Sequence, residues 1–287
     1  MLNNEFQNHL SVLLDQPIQY ILPVSGGDIS MAYRVETKDT AFFLKVNQGQ
    51  NALHMFQTEK SGLETIAQTK SISTPKIIAC ETFKTQTFIL MEFIESKRPN
   101  AEDFGRFGKA LAVLHQNTSE NFGFRDNNFI GSLPQSNKPT NSWVNFYINE
   151  RLKPQFDLAK RHGLLTNEET PAIHHMEKSL EPLFKDVKPS LLHGDLWSGN
   201  YLITKDGLPY LIDPAVYYGH SEVDIAMTQL FGGFSDGFYE AYYSVHPKDS
   251  KTASRIEIYQ LYYLLVHLNL FGSSYYGSVI KILKKYF

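Results

Sequence analysis

The chain has 287 residues, 42% hydrophobic and 13% aromatic, with a formal charge of −3. That length can bury one large core or two modest ones, and the composition excludes a disordered chain. The slight negative charge argues against a broad nucleic-acid-binding surface but leaves room for a pocket that takes a small anion. Cys80 is the only cysteine, which excludes an intramolecular disulfide and a cysteine-based zinc cluster and points to a reducing compartment. The opening MLNNEFQNHL shows no basic patch leading into an apolar run, so no signal peptide is expected. The most apolar helical stretch, Leu261–Phe271, is interrupted by His267 and Asn269 and is too short to span a bilayer. The expectation is a cytoplasmic protein with neither membrane nor nucleic-acid partners.

In chain order, YILPVSGGDIS reaches a Gly-Gly turn, MAYRVET alternates beyond it, and AFFLKVN (Ala41–Asn47) follows the polar turn at Lys38-Asp39-Thr40. A helix is predicted over Leu53–Gln68 with Phe56, Leu63 and Ile66 facing the core, and then two strands in TPKIIAC and TQTFILMEFI. A small antiparallel sheet is implied. After ESKRPN the texture changes. Glu102–Gln116 places Phe104, Phe107, Leu111 and Leu114 on one helical stripe, and most of the remaining chain reads as helical apart from loops and one hairpin. In that hairpin YLIT and LPYLID flank the turn Lys205-Asp206-Gly207, with Asp213 ending the second strand. The fold class is α+β: a sheet-rich first lobe with one helix, residues 1–94, and a larger, mainly helical second lobe, residues 95–287. Ligands usually occupy clefts of the kind such lobes enclose.

The chemistry concentrates in HGDLWSGN (His193–Asn200) and LIDP (Leu211–Pro214). Asp195 and Asn200 share a loop, and the hairpin brings Asp213 back beside Asn200. Asparagine and aspartate oxygens are hard donors suited to Mg2+, whose shell phosphate oxygens can complete. Asp195 is then free to accept a proton from a substrate hydroxyl and to orient it for in-line attack. The same residues could instead cap turns and end a strand; it is their spacing as a trio that favours the metal and base reading. In the first lobe Lys45 sits in the apolar strand FFLKV, where an unpaired ammonium is costly. Glu59 on the following helix could pair with it, leaving Lys45 aimed at nucleotide phosphates. Gly26 and Gly27 offer backbone N–H groups to phosphate, but SGGDIS lacks the G-x-G-x-x-G spacing and could be an ordinary hairpin turn.

HGDLWSGN, LIDP, Lys45 and Glu59 together resemble the small-molecule branch of the protein-kinase-like superfamily. More narrowly, SGGDIS, FFLKVN, FQTEKSGLETI, FGFRDNNFIGSLPQSN, WVNFYINERLKPQ, GHSEVDIAMTQLFGGF and YQLYYLLVHLNLFGSSY make the chain similar to fructosamine kinases (ketosamine 3-kinases) over nearly its whole length. The resemblance implies a two-lobed protein-kinase-like fold and ATP with Mg2+ as cofactors. It also implies a small-molecule ketosamine or glycated amine as acceptor. In these terms Asp195 is the catalytic base, and Asn200 and Asp213 are the Mg2+ ligands. Lys45 holds the nucleotide phosphates and Glu59 holds Lys45. Met91, Glu92 and Phe93 lie in the hinge whose backbone binds adenine, and Asp224 braces the catalytic loop. Trp197, two residues after Asp195, is the candidate to stack on a sugar, although it could also be a core anchor for the loop. His220 and Glu222 are candidates for the acceptor pocket or, alternatively, for turn and cap positions. His193 is expected to orient the loop. Some family members carry a cysteine where this chain has Asp28, so redox control at that position is not available here. A kinase for another small alcohol, of the aminoglycoside, choline or thioribose type, is the alternative enzyme. A pseudokinase scaffold is disfavoured because no catalytic residue is missing. A monomer or weak dimer is expected.

Overall fold

Alternation explains the first sheet. The computed structural model describes residues 2–24 and 30–287. Among these, β1 (Tyr20–Pro23), β2 (Met31–Glu36), β3 (Ala41–Asn47), β4 (Ile77–Phe83) and β5 (Gln86–Glu92) form an antiparallel sheet ordered β1-β2-β3-β5-β4. Successive side chains on a strand point to opposite faces. Val35, Leu44, Val46, Phe88 and Leu90 therefore share one buried face, covered by Leu2, Phe6 and Leu10 of the N-terminal segment. Ile89 and Met91 point the other way and pack with Phe56 and Leu63 of α2 (Ala52–Gln68). Lys45 pairs directly with Ala32 and Ile89, so it shares the α2 face.

The helix α1 (Asn4–Leu14) is a correction to the sequence reading, which began at the first strand. Its signals are present: Asn3 accepts from the Phe6 amide as N-cap, and Phe6 and Leu10 are one turn apart on its buried side. The predicted α2 stripe of Phe56, Leu63 and Ile66 is buried. Gly62 lets α2 approach closely, since a Cβ there would come within 2.9 Å of the Pro214 ring. That contact seats the helix directly against the LIDP segment.

Beyond the sheet, α3 (Ala101–Leu114) starts with a reciprocal cap, Asn100 accepting from the Asp103 amide and Asp103 from the Asn100 amide. Such a cap is worth about 1 kcal/mol. Its stripe of Phe104, Phe107, Leu111 and Leu114 enters the large second core. There follow β6 (Asn128–Ile130), β7 (Leu133–Gln135), α4 (Trp143–Phe146), a wide helical turn over Tyr147–Leu152, α5 (Lys153–Arg161) and α6 (Ile173–Leu180). The short strands β8 (Ser190–Leu192), β9 (Tyr201–Ile203), β10 (Pro209–Leu211) and β11 (Tyr217–Gly219) precede α7 (Glu222–Leu230), α8 (Asp236–Tyr243), α9 (Thr252–Phe271) and α10 (Tyr276–Tyr286).

The predicted hairpin is the β9–β10 pair, Tyr201 opposite Leu211. Two further two-stranded pieces, β6–β7 and β8–β11, correct the expectation of a single hairpin. Strands of three residues are too short to show a period of two. The helix α9 is buried on nearly every side, as its all-round hydrophobicity requires. Among the described residues no helix is long and apolar enough to cross a membrane.

Candidate active site

The loop His193–Asn200 joins β8 to β9 and is held from below by one carboxylate. The His193 and Gly194 amides donate to Asp224 Oδ2 and Oδ1, at 2.8 and 2.9 Å, and His115 Nε2 lies 3.1 Å from the same Oδ2. Burial alone would raise the Asp224 carboxyl, but His115 and these amides hold it below the usual range. Gly194 has φ +85°, and a Cβ there would sit 2.1 Å from the Ala215 oxygen, so only glycine fits. His193 is wholly buried; its Nε2 is 2.8 Å from the Ile212 oxygen, and its Nδ1 accepts from the Asp195 amide at 3.2 Å. It ties the loop to the LIDP segment.

The Ile212 amide donates to the Asn200 backbone oxygen at 3.1 Å, which draws Asn200 and Asp213 side by side. Asp213 lies two residues past β10 rather than at its end, in the left-handed region with φ +54°. The Asn200 Nδ2 donates to the Asp195 backbone oxygen at 2.9 Å and to its Oδ2 at 3.3 Å. From the sheet, Lys45 Nζ reaches Glu59 Oε1 at 2.8 Å and also pairs with Asp213. All five of these predicted residues therefore converge.

One ammonium among three carboxylates leaves the cluster short of positive charge. Burial, reinforced by Asp213 and Asp224, pushes Asp195 up to about 7. Burial also pushes Glu59 up to about 8 despite Lys45 beside it, with the Asp213 charge adding to the effect. Burial favours the neutral forms of Lys45 and Asp213 as well, but their mutual attraction wins, raising the ammonium and lowering the carboxyl.

The donor set suits a cation held jointly with phosphate. The Asn200 amide nitrogen is committed to Asp195, while its Oδ1 has no partner among the described residues. No cluster of three or more His, Cys, Asp or Glu among the described residues could enclose a metal unaided. Two protein oxygens with the remaining shell open to phosphate and water match how Mg2+ is usually bound.

The other expected positions divide. Gly26 and Gly27 lie outside the described residues. Met91 is buried in β5, and Arg34 stacks 4.5 Å from the centre of the Phe93 ring. The Glu92 amide donates to the Lys76 oxygen at 2.9 Å, so it is not free for a ligand. The amides of Phe93 and Ile94 have no partner among the described residues. Trp197 is 40% exposed, with its ring lying over Gly199 of the same loop.

His220 and Glu222, named as candidates for the acceptor pocket or for turn and cap positions, both bond to buried groups of the second lobe. In the β8–β11 pair Gly219 faces Ser190, so His220 continues past the end of β8 opposite to the one that leads to Asp195. Glu222 gives both oxygens to Arg255, each at 2.6 Å, and also accepts from Thr252. His220 lies 2.7 Å from the Tyr259 hydroxyl.

Burial lowers the His220 imidazole to about 3. A depressed histidine contributes stability that is complete above the unfolded value of about 6.5 and is lost as pH falls from there toward the folded value. His220→Gln should therefore flatten the melting temperature against pH between about 6.5 and 4. An unchanged slope would show that the ring is already protonated in the folded protein.

Several supports were not legible as functional. His115 comes from the end of α3. Arg151, fully buried, donates to the Ser136 oxygen and Asn137 Oδ1 and stacks 3.9 Å from the Tyr217 ring centre. The Tyr263 hydroxyl donates to the Gly194 oxygen at 2.8 Å. The only sequence signal for the last is the tyrosine-rich YQLYY in an apolar helix, where each hydroxyl needs a partner.

Comparison with known proteins places this geometry. The chain is 41% identical over 272 residues to a Lactiplantibacillus plantarum protein named "Probable ketoamine kinase", covering 94% of this chain and 95% of that one. It is 39% identical to "Protein-ribulosamine 3-kinase, chloroplastic" of Arabidopsis thaliana, covering 92% and 81%. A crystal structure described as "putative fructosamine-3-kinase" from Thermobifida fusca superposes with a TM-score of 0.85 at 30% identity, covering 99% and 98%. Aminoglycoside phosphotransferase APH(4)-Ia, at 14% identity and a TM-score of 0.64, shares the fold. The architecture is thus the two-lobed protein-kinase-like one. The profile of the fructosamine kinase family matches residues 2–287, and with the converged loop, lysine and acidic residues this establishes that the chain belongs to the fructosamine kinase family.

Proposed function

We propose that this protein is an ATP-dependent kinase that phosphorylates the O3 hydroxyl of the sugar part of a ketosamine, such as a fructosamine or ribulosamine. The less stable product sheds its amine, so the role is deglycation. The observation that carries this reading is the convergence of Lys45 and Glu59 with Asp213, Asn200 and Asp195. Family membership and the ribulosamine 3-kinase relative support the acceptor class. A scaffold without catalysis would have no use for this complete set. The likeness to the aminoglycoside enzyme is one of fold and gives no support to an aminoglycoside acceptor.

Residues 1–94 would hold the nucleotide and residues 95–287 the acceptor. The Phe93 and Ile94 amides would bind adenine, and Lys45, kept charged by its carboxylate partners, would draw the phosphates toward the loop. Bound Mg2+ would neutralise phosphate charge, with Asn200 Oδ1 and the Asp213 carboxylate as its protein ligands. Asp195, in its carboxylate form, accepts the proton of the acceptor hydroxyl. That oxygen forms a bond to the γ-phosphorus as the bond to the bridging oxygen breaks, and ADP leaves. Every group in this scheme comes from a single chain, so no partner copy is required. The single cysteine is in keeping with a cytoplasmic setting.

ADP release measured with a panel of ketosamines, aminoglycosides and choline tests this. Turnover with ketosamines is expected; turnover confined to an aminoglycoside or choline would overturn it. Within the same assay Trp197→Ala should raise the acceptor KM several-fold, since stacking on a sugar is worth on the order of 1 kcal/mol by analogy with aromatic pairs. The ATP KM should stay nearly constant. Damage to ATP binding with an untouched acceptor KM would mean that the acceptor lies elsewhere.

A further inference from the structure

Two adjacent tyrosines on α9 reach both halves of the site from behind. Neighbouring helical residues point about 100° apart, so Tyr262 and Tyr263 face different loops. Both are buried. The Tyr263 hydroxyl donates to the Gly194 oxygen at 2.8 Å, immediately before Asp195. The Tyr262 hydroxyl donates to Gln135 Oε1 at the end of β7. Gln135 Nε2 donates to Asn128 Oδ1 at 2.8 Å, and Asn128 Nδ2 donates to the Val216 oxygen at 2.8 Å, three residues after Asp213. Each donor in this series has one acceptor, and every bond runs outward from α9 to Val216, two residues beyond the LIDP segment. The β6–β7 hairpin, which holds the LPQ motif, is the bridge.

We propose that Tyr262 and Tyr263 form a two-armed positioning device that sets the base loop and the metal-binding segment at a fixed separation. The Tyr263 arm acts on Asp195, and the Tyr262 arm acts on Asp213 through Gln135 and Asn128. The proposal rests on the roles of Asp195 and Asp213 given above. Because α9 is one continuous helix buried on nearly every side, the two loops are referred to one frame. Displacement of a reacting group by about 1 Å can cost on the order of 10²-fold in rate, so loss of one tether should cost part of that.

Tyrosine-to-phenylalanine changes keep the packing and remove only the tether. Tyr263→Phe should lower kcat roughly 5- to 30-fold with the ATP KM held within about two-fold. Tyr262→Phe should raise the Mg2+ concentration needed for tight ADP binding about five-fold or more, read by calorimetry, with kcat at saturating Mg2+ close to wild type. Tyr259→Phe is the control. Its hydroxyl meets Trp143 Nε1 and His220 and touches neither loop, so it should lower only the melting temperature.

If both test variants lose only thermal stability, as the control does, the device is refuted. The same holds if the two phenotypes are exchanged. Should Tyr262→Phe not fold, Asn128→Leu removes the donor to Val216 without adding charge and must give the same Mg2+ phenotype. Asp195→Asn separates the underlying assignment. An active Asp195→Asn enzyme sinks the base role itself, whereas an inactive one with silent tyrosine variants sinks only the device.

Discussion

Asp195→Asn should yield a folded protein that binds ATP within a few-fold of the wild type while kcat falls by roughly 10²–10⁴, the range for removing a positioned proton acceptor. The amide matches the carboxylate in shape, and its oxygen can still accept from Asn200. Stability should not fall. In the wild type Asp195 is raised to about 7 in the folded state, chiefly by burial. A raised carboxyl contributes stability below its unfolded value of about 3.9 and loses it as pH rises through the folded value. At pH 8 the neutral amide removes that charge, and the variant should melt no lower than the wild type.

The same shift sets the pH profile of the wild-type enzyme. Proton acceptance needs the carboxylate, so kcat/KM should rise with pH through an acid limb near 7 when Mg2+ is scarce. The limb should move to lower pH as the cation fills its site beside Asp213, because added positive charge favours ionised Asp195. Asp195→Asn should abolish the limb. A normal kcat combined with a raised acceptor KM would make Asp195 a binding residue.

Asp213→Asn should reduce turnover by roughly 10²–10³-fold or more, the scale for losing one charge-stabilising group, and should weaken Mg2+-dependent nucleotide binding. The backbone favours this substitution, since position 213 has φ +54° and asparagine tolerates the left-handed region better than most residues. The variant also leaves Lys45 with Glu59 as its sole carboxylate partner in that group. Glu59, raised to about 8 with Asp213 contributing, should then titrate lower. Melting and calorimetric titration of ADP with and without Mg2+ separate the outcomes. Near-normal activity of the folded variant at limiting Mg2+ would remove Asp213 from the metal site.

What could be read from the sequence alone was local or carried by a continuous motif. Alternation in AFFLKVN, the stripe of Phe56, Leu63 and Ile66, and the stripe of Phe104, Phe107, Leu111 and Leu114 identified their elements, because each pattern repeats within a few residues. The Lys45–Glu59 pairing was legible for a physical reason. An ammonium in an apolar strand must find a carboxylate, and the next helix supplies one at the right face. Asp195, Asn200 and Asp213 were legible because a short hairpin folds one back on the other.

Where a polar residue needed a partner from far along the chain, only the tertiary structure could decide. Leu2, Phe6 and Leu10 carry a helix period, but the face that they cover is built from Val35 through Leu90. His220 and Glu222 adjoin a functional motif, yet Glu222 is claimed by Arg255, 33 residues later, and His220 by Tyr259, 39 residues later. Burying a carboxylate beside an arginine satisfies both, so Glu222 takes Arg255 as its partner. Trp197 has no such distant partner among the described residues and stays exposed. The sequence by itself determined which groups could do the chemistry; the packing of α9 against the loops decided which of them face it, because burial requires every polar group to take the partner that the fold brings within reach.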